Sequence, residues 1–269
     1  MRGKDWRSSE SGGIETLTTF PIICNGTPKS GTHALLQAVE AMGFNKYAFV
    51  RGLRKDKPCY GRRIDYNEES IFLSPEAKRN FDNYLKNTPK VTGRAEVAAL
   101  LRAAPAMSVV HAHVSWRKRD ILRDLTTVTI IRNPRNNFIS WLRWFGPEAA
   151  AEFFPTYASF LSWRKDKLFV YERLWEPTQI VALGKAVGRD IDLAQANEIV
   201  DKSKNRSLTW TNQPSNHEII WNPQLAEVWK AHRGERLDAA YEQIAAESDE
   251  RFVPLDGLRH GASAVGQFA

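Results

Sequence analysis

The sequence predicts an α/β fold of three layers, with a central parallel sheet of about four to five strands, P-loop-like architecture and a helical C-terminal part. Four short apolar runs, at 21–24, 108–111, 127–131 and 167–171, are rich in Val or Ile and bounded by polar or turn residues, as buried parallel strands are. Segments with helical spacing lie between them, and that alternation builds a parallel sheet covered on both faces.

The first run ends in Asn25-Gly26-Thr27-Pro28-Lys29-Ser30-Gly31-Thr32-His33, a turn that opens a helix over 32–42 carrying Leu35, Leu36 and Val39 and stopping at Gly43. Strand, turn and helix in that order cradle an anion, because the N–H groups of Ser30, Gly31 and Thr32 point inward at the positive end of the helix dipole. Lys29 adds a cation, Ser30 and Thr32 add hydroxyl donors, and Gly31 lets the backbone approach. A Walker A loop sets its lysine directly after the last glycine, whereas Lys29 stands two positions before Gly31, which argues against an ATPase or GTPase.

A second helix starts at Pro75 behind Ser74 and runs to 86. The next strand ends in His111-Ala112-His113, whose two imidazoles face one side by strand alternation, so either could take a proton near neutral pH. The nearer to the strand's end, His113, is the preferred base. The strand at Thr127–Ile131 ends in Arg132-Asn133-Pro134-Arg135, with Ser140 eight residues after Arg132 on the helix over 137–145. Arg132 can grip a phosphate with its planar fork, and Ser140 can bring a hydroxyl to the same group. Trp141 and Trp144 on that helix read as core. The last strand gives Tyr171-Glu172-Arg173-Leu174 and leads to a helix over 178–187. Beyond Asp192 the chain reads as mainly helical, with a polar loop at 203–216 and a helix start at Asn222-Pro223.

A hydrophobic fraction of 42% and a net charge of +7 suit a globular protein with an anionic ligand, without choosing among nucleotide, polyanionic sugar and membrane surface. Two cysteines give no disulfide framework or zinc motif. The N-terminus has no secretory signal and no apolar run can span a bilayer, so a cytoplasmic location is expected. Residues 1–18, polar and Gly/Ser-rich, read as a flexible segment before a single domain over 19–269.

Pro28-Lys29-Ser30-Gly31-Thr32 resembles the 5′-phosphosulfate loop of the sulfotransferases that use 3′-phosphoadenylyl sulfate (PAPS), and Arg132-Asn133-Pro134-Arg135 with Ser140 resembles their 3′-phosphate motif. Between these, His113 aligns with the family's base, and Tyr171-Glu172 with a segment whose tyrosine lies beside adenine. The resemblance covers about residues 20–230. It implies His113 and Lys29 as catalytic residues. It implies Pro28, Lys29, Ser30, Gly31, Thr32, His33, Arg132, Ser140, Tyr171 and Arg206 as nucleotide-binding residues. It further implies PAPS as donor, PAP as product, no required metal and no nucleic-acid partner. The chain departs from the family at Asn136, where an aspartate is usual, at Arg173, and at Ala34, where relatives often stack a tryptophan on adenine. The family's basic closing loop corresponds to 210–213, which holds no basic residue; Lys204 or Arg206 stands just upstream.

Residues 51–63 read as a basic loop that could form a lid favouring an anionic glycan or lipid headgroup, or a small-molecule acceptor, and Trp116 with Arg117-Lys118-Arg119 could line the same side. The competing readings are a nucleotide kinase with a degenerate P-loop, which would need magnesium and ATP, and a non-catalytic polyanion binder, whose affinity would fall steeply with salt.

Overall fold

A computed structural model describes residues 21–54, 56–64, 75–163, 167–204 and 217–252. The α/β class holds. One sheet, in the order β4-β3-β2-β5-β1-β6-β7, carries seven strands rather than four to five. Four strands, β5 (Ser108–Val114), β1 (Ile22–Gly26), β6 (Thr127–Ile131) and the edge strand β7 (Leu168–Val170), are parallel and lie at the apolar runs. Beside them β2 (Asn45–Gly52) pairs parallel with β5, then β3 (Tyr60–Arg63) and β4 (Val91–Thr92) follow antiparallel. Residues 51–63 are therefore not a basic loop: they end β2, turn, and return along β3.

Successive residues of β1 serve opposite faces, as the pleat requires. Ile22 and Cys24 join Val109, Val128, Ile130 and Phe169 under α1 (Thr32–Ala41), which contributes Leu35, Leu36 and Val39. The same core takes Ile180 and Leu183 from one later helix and Ala196 and Ile199 from the next. Ile23 packs with Val50, Val110, Ala112 and Val114 on the other face, against Val97, Leu101 and Phe160.

The remaining helices are α2 (Pro75–Asn87), α3 (Arg94–Arg102), α4 (Pro134–Phe145), α5 (Ala150–Leu161), α6 (Pro177–Ala186), α7 (Leu193–Lys204), α8 (His217–Ile220), α9 (Pro223–Ala231) and α10 (Glu235–Phe252). An aromatic cluster of Phe138, Phe153, Phe154, Tyr157 and Trp229 joins α4, α5 and α9. Arg135 bolts this cluster to α10: its Nε and Nη2 donate to Asp238 Oδ2 at 3.0 and 2.9 Å, and Trp229 Nε1 donates to the same oxygen at 3.1 Å. Among the described residues no helix is long and apolar enough to cross a membrane.

Beyond their paired residues, β1 and β5 are joined by a side chain. Asn25, fully buried, donates from Nδ2 to the Val114 carbonyl at 3.1 Å and accepts from the Val114 N–H at 2.9 Å. The amide thus extends the ladder to the strand ends where the candidate site lies. Asn25→Ala strands two buried backbone groups and should lower stability by about 1–3 kcal/mol in urea titration.

Candidate functional site

The sheet presents the carboxyl ends of β1, β5 and β6 side by side, the usual location for ligands in open α/β folds. The turn after β1 closes tightly. A Cβ on Gly26 would lie 2.6 Å from Ser30 Oγ, 2.7 Å from Thr32 Oγ1 and 2.9 Å from the Ile130 oxygen, so only glycine fits. Ser30 N–H donates to the Thr27 oxygen at 3.0 Å and Ser30 Oγ to the Ile130 oxygen at 3.2 Å. Asn137 on α4 fixes the turn from the other side, donating to the Pro28 oxygen at 3.2 Å.

Lys29 and Gly31 are both left-handed, with φ of 72° and 97°. Gly31 caps α1, whose first turn has no side-chain cap and no acidic residue. Its dipole end therefore offers N–H groups to an anion. Thr27 Oγ1 and Thr32 Oγ1 are buried and find no hydrogen-bond partner among the described residues. A hydroxyl orphaned at a helix N-terminus is suited to a phosphate-like group. The donor set differs from the expected one, because the N–H and the hydroxyl of Ser30 are both spent inside the turn. A second expectation is corrected. A Cβ on Gly31 would sit 2.1 Å from Tyr171 Cδ2, so the space that glycine leaves accommodates the tyrosine ring rather than the anion.

Lys29 lies with its Nζ 3.8 Å above the Trp144 ring of α4. Trp141 is core, as expected, but Trp144 is only partly buried and supports the site's lysine. The sequence could have betrayed this through spacing: Asn137, Ser140, Trp141 and Trp144 share one helical face, and two of them touch Pro28 and Lys29. Ser140 sits midway along that face, toward the turn.

Arg132 leaves the end of β6 with its guanidinium carbon 4.9 Å from the Tyr171 ring centre. Tyr171 therefore joins the two phosphate-type motifs, packing on Gly31 and beneath Arg132. Its neighbour Glu172 accepts from the Asn133 N–H at 2.9 Å and from the Tyr241 hydroxyl at 2.7 Å, bracing the turn that aims Arg132. That role was not visible in the sequence. Asn136 accepts from the His217 N–H at 2.7 Å and so anchors the start of α8. Arg206 lies outside the described residues.

His111 and His113 face the α1 side together with His33. Ring centres are 4.4 Å apart for His33 and His111, and 4.7 Å for His111 and His113. His111 is buried and also meets Phe49 edge-on, whereas His113 is only half-buried. His113 Nδ1 lies 2.7 Å from the Gly26 oxygen. A carbonyl can only accept, so Nδ1 carries the proton and Nε2 keeps a lone pair. Burial and the neighbouring His111 hold this imidazole well below its ordinary pKa; the Gly26 bond opposes them, while Arg51 and His33 add to the depression. The site thus joins an anion cradle, two ring-supported cations and a neutral imidazole. Trp116 does not belong to it: that ring packs edge-on against Trp163 at 5.3 Å and lines another cavity with Arg119, and Lys118 is buried, bonded to the Lys57 oxygen.

Gly31→Ala should cost about 1–3 kcal/mol in thermal or urea unfolding, from its left-handed backbone and the clash with Tyr171. Adding Tyr171→Ala should relieve the clash but not the backbone strain, and a double-mutant cycle reads the two apart.

No family model matches the chain, and no curated protein matches it by sequence. Among solved structures, it is similar to the mouse sulfotransferase SULT7A1 complexed with PAP, at 13% identity and a TM-score of 0.46, over 85% of this chain and 92% of that one.

Proposed function

We propose that this chain is a PAPS-dependent sulfotransferase, moving a sulfuryl group to an acceptor hydroxyl or amine. The observation that carries the reading is the meeting of three motifs at adjacent strand ends: the Lys29 turn on β1, His113 on β5 and Arg132 on β6. Each was read from a separate stretch of sequence, and a donor with a 5′-phosphosulfate and a 3′-phosphate needs two anion sites flanking a base.

In this reading the first turn of α1, with Thr32 Oγ1, holds the 5′-phosphosulfate. Arg132 and Ser140 hold the 3′-phosphate, and Tyr171 braces both grips. His113 Nε2 takes the proton of the acceptor hydroxyl as its oxygen attacks sulfur in line. The new S–O bond forms as the bond to the bridging phosphate oxygen breaks, and that oxygen keeps the electron pair. Lys29 and the turn amides stabilise the charge gathering there. The depressed pKa leaves His113 unprotonated at neutral pH, ready to accept.

Labelled PAPS with a panel of glycan, phenol, alcohol and lipid acceptors is the direct test. Transfer should persist in EDTA, and magnesium-dependent ATP turnover in its place would overturn the reading. His113→Ala should cut transfer by about 10²–10⁴-fold while PAP affinity stays within about threefold. Arg132→Ala should weaken PAP binding by about 10–100-fold, the loss expected for a charge-assisted grip.

The pH dependence follows from His113. The base form is the neutral one, so kcat/KM should hold as pH falls through 6.5 and drop only near the depressed pKa. His111→Gln removes the neighbouring imidazole that lowers it and should move the acid limb to higher pH, read from a pH–rate profile.

A further inference from the structure

Arg51 lines a cavity of about 460 Å³. Its walls are the ends of β2 and β3, the loop before β4, and the facing ends of α4 and α5. Two residues connect it to the candidate site. Arg51 is the register partner of His113 across β2 and β5, and its charge bears on that imidazole. Phe145 directly follows Trp144, the ring under Lys29.

The walls combine rings with positive charge. Arg51, Arg54, Lys57 and Lys90 line the cavity, and Glu152 is the one carboxylate among the lining residues. Glu152 is already engaged by Arg54 at 2.7 Å, which also reaches Asp56 at 3.3 Å. Arg51, Lys57 and Lys90 form no ion pair with a described carboxylate. Arg51 lies 5.7 Å from the Phe145 ring centre, and Lys90 lies 6.0 Å from that of Tyr60. A ring orients a cation without cancelling it. An acceptor chamber lined by four cations and one carboxylate, with rings between them, disfavours a cationic ligand and is wasted on a neutral one.

Resting on the sulfotransferase reading, we propose that the acceptor is a hydroxyl-bearing organic anion of small-molecule size. Its apolar or sugar body lies between Tyr60 and Phe145, its hydroxyl reaches His113, and its carboxylate or sulfate lies toward Lys57 and Lys90. Strand order sets the span. β3 and β4 stand two and three strands from β5, so the anion lies about 10–14 Å from the reacting hydroxyl.

The test compares matched acceptors with full-length protein: a long-chain hydroxyaryl alkanoate and a uronate disaccharide, each as free acid and as methyl ester. PAP affinity, measured separately, tests the sulfotransferase reading; acid-over-ester binding, measured by calorimetry without nucleotide, tests the cavity. The wild type should prefer at least one acid over its ester by about tenfold or more, in binding and in kcat/KM. The body that shows the preference identifies the source of the anion. The double substitution Lys57→Ala/Lys90→Ala should bring that ratio to within about threefold, with melting temperature as the folding control. Equal binding of acid and ester in both pairs overturns the proposal, as does a preference that survives loss of both lysines. Absent PAP binding with a retained acid preference overturns the sulfotransferase reading alone.

Discussion

The contact on which the site depends is the one between His113 Nδ1 and the Gly26 oxygen, at 2.7 Å. It fixes the imidazole's tautomer and spans the gap between two strands as they diverge. It exists only because β1 and β5 stay in register to their ends, where Asn25 substitutes its amide for the missing backbone rungs. It also requires Gly26 to lack a side chain, since Ser30 and Thr32 fold over it within 2.7 Å of where a Cβ would be. One glycine therefore serves the anion turn and the base together, and a change there would disturb both.

The arginines and lysines divide by their partners. Arg135 is held by Asp238, Arg54 by Glu152 and Arg173 by Glu176; these close an interface or a turn. Lys29, Arg132 and Arg51 lie over Trp144, Tyr171 and Phe145. A ring orients a cation without cancelling its charge. The two arginines of the Arg-Asn-Pro-Arg run part company: Arg132 lies over the ring that packs on Gly31, while Arg135 is bound to Asp238 beside Trp221 and Trp229, a distinction no motif could make.

The central strands were legible because burial on both faces leaves an unbroken apolar run, and Ile22–Gly26 and Thr127–Ile131 are of that type. Strand β2 was missed because Asn45, Lys46 and Arg51 interrupt its alternation, and β3 because two of its four residues are arginines. Both lie toward the β4 edge, where half-exposed positions tolerate charge, so their sequences resemble loops. The site was legible where chemistry is contiguous, as at Lys29-Ser30-Gly31-Thr32. It was illegible where partners come from distant segments. Helical spacing puts Trp144 on one face with Asn137, but nothing local marks Glu172 as the brace for Asn133 or Arg51 as the neighbour of His113.

The positive field also acts on the base. Burial makes protonation of His113 costly, and His111, Arg51 and His33 alongside add to that cost. The surroundings suited to binding anions therefore help to keep the base neutral. They have an opposite consequence at the turn. A proton leaving the acceptor must enter a positive region, which raises the cost of the imidazolium while lowering that of the departing phosphate. The Gly26 carbonyl answers the first cost, since it accepts from Nδ1 and favours the charged ring. Its hydrogen bond raises the His113 pKa against burial and the neighbouring cations, and it acts at the nitrogen opposite the one that takes the proton. Orientation of the base and stabilisation of its charged form therefore fall to a single backbone oxygen, held in place by the anion-binding turn that it begins.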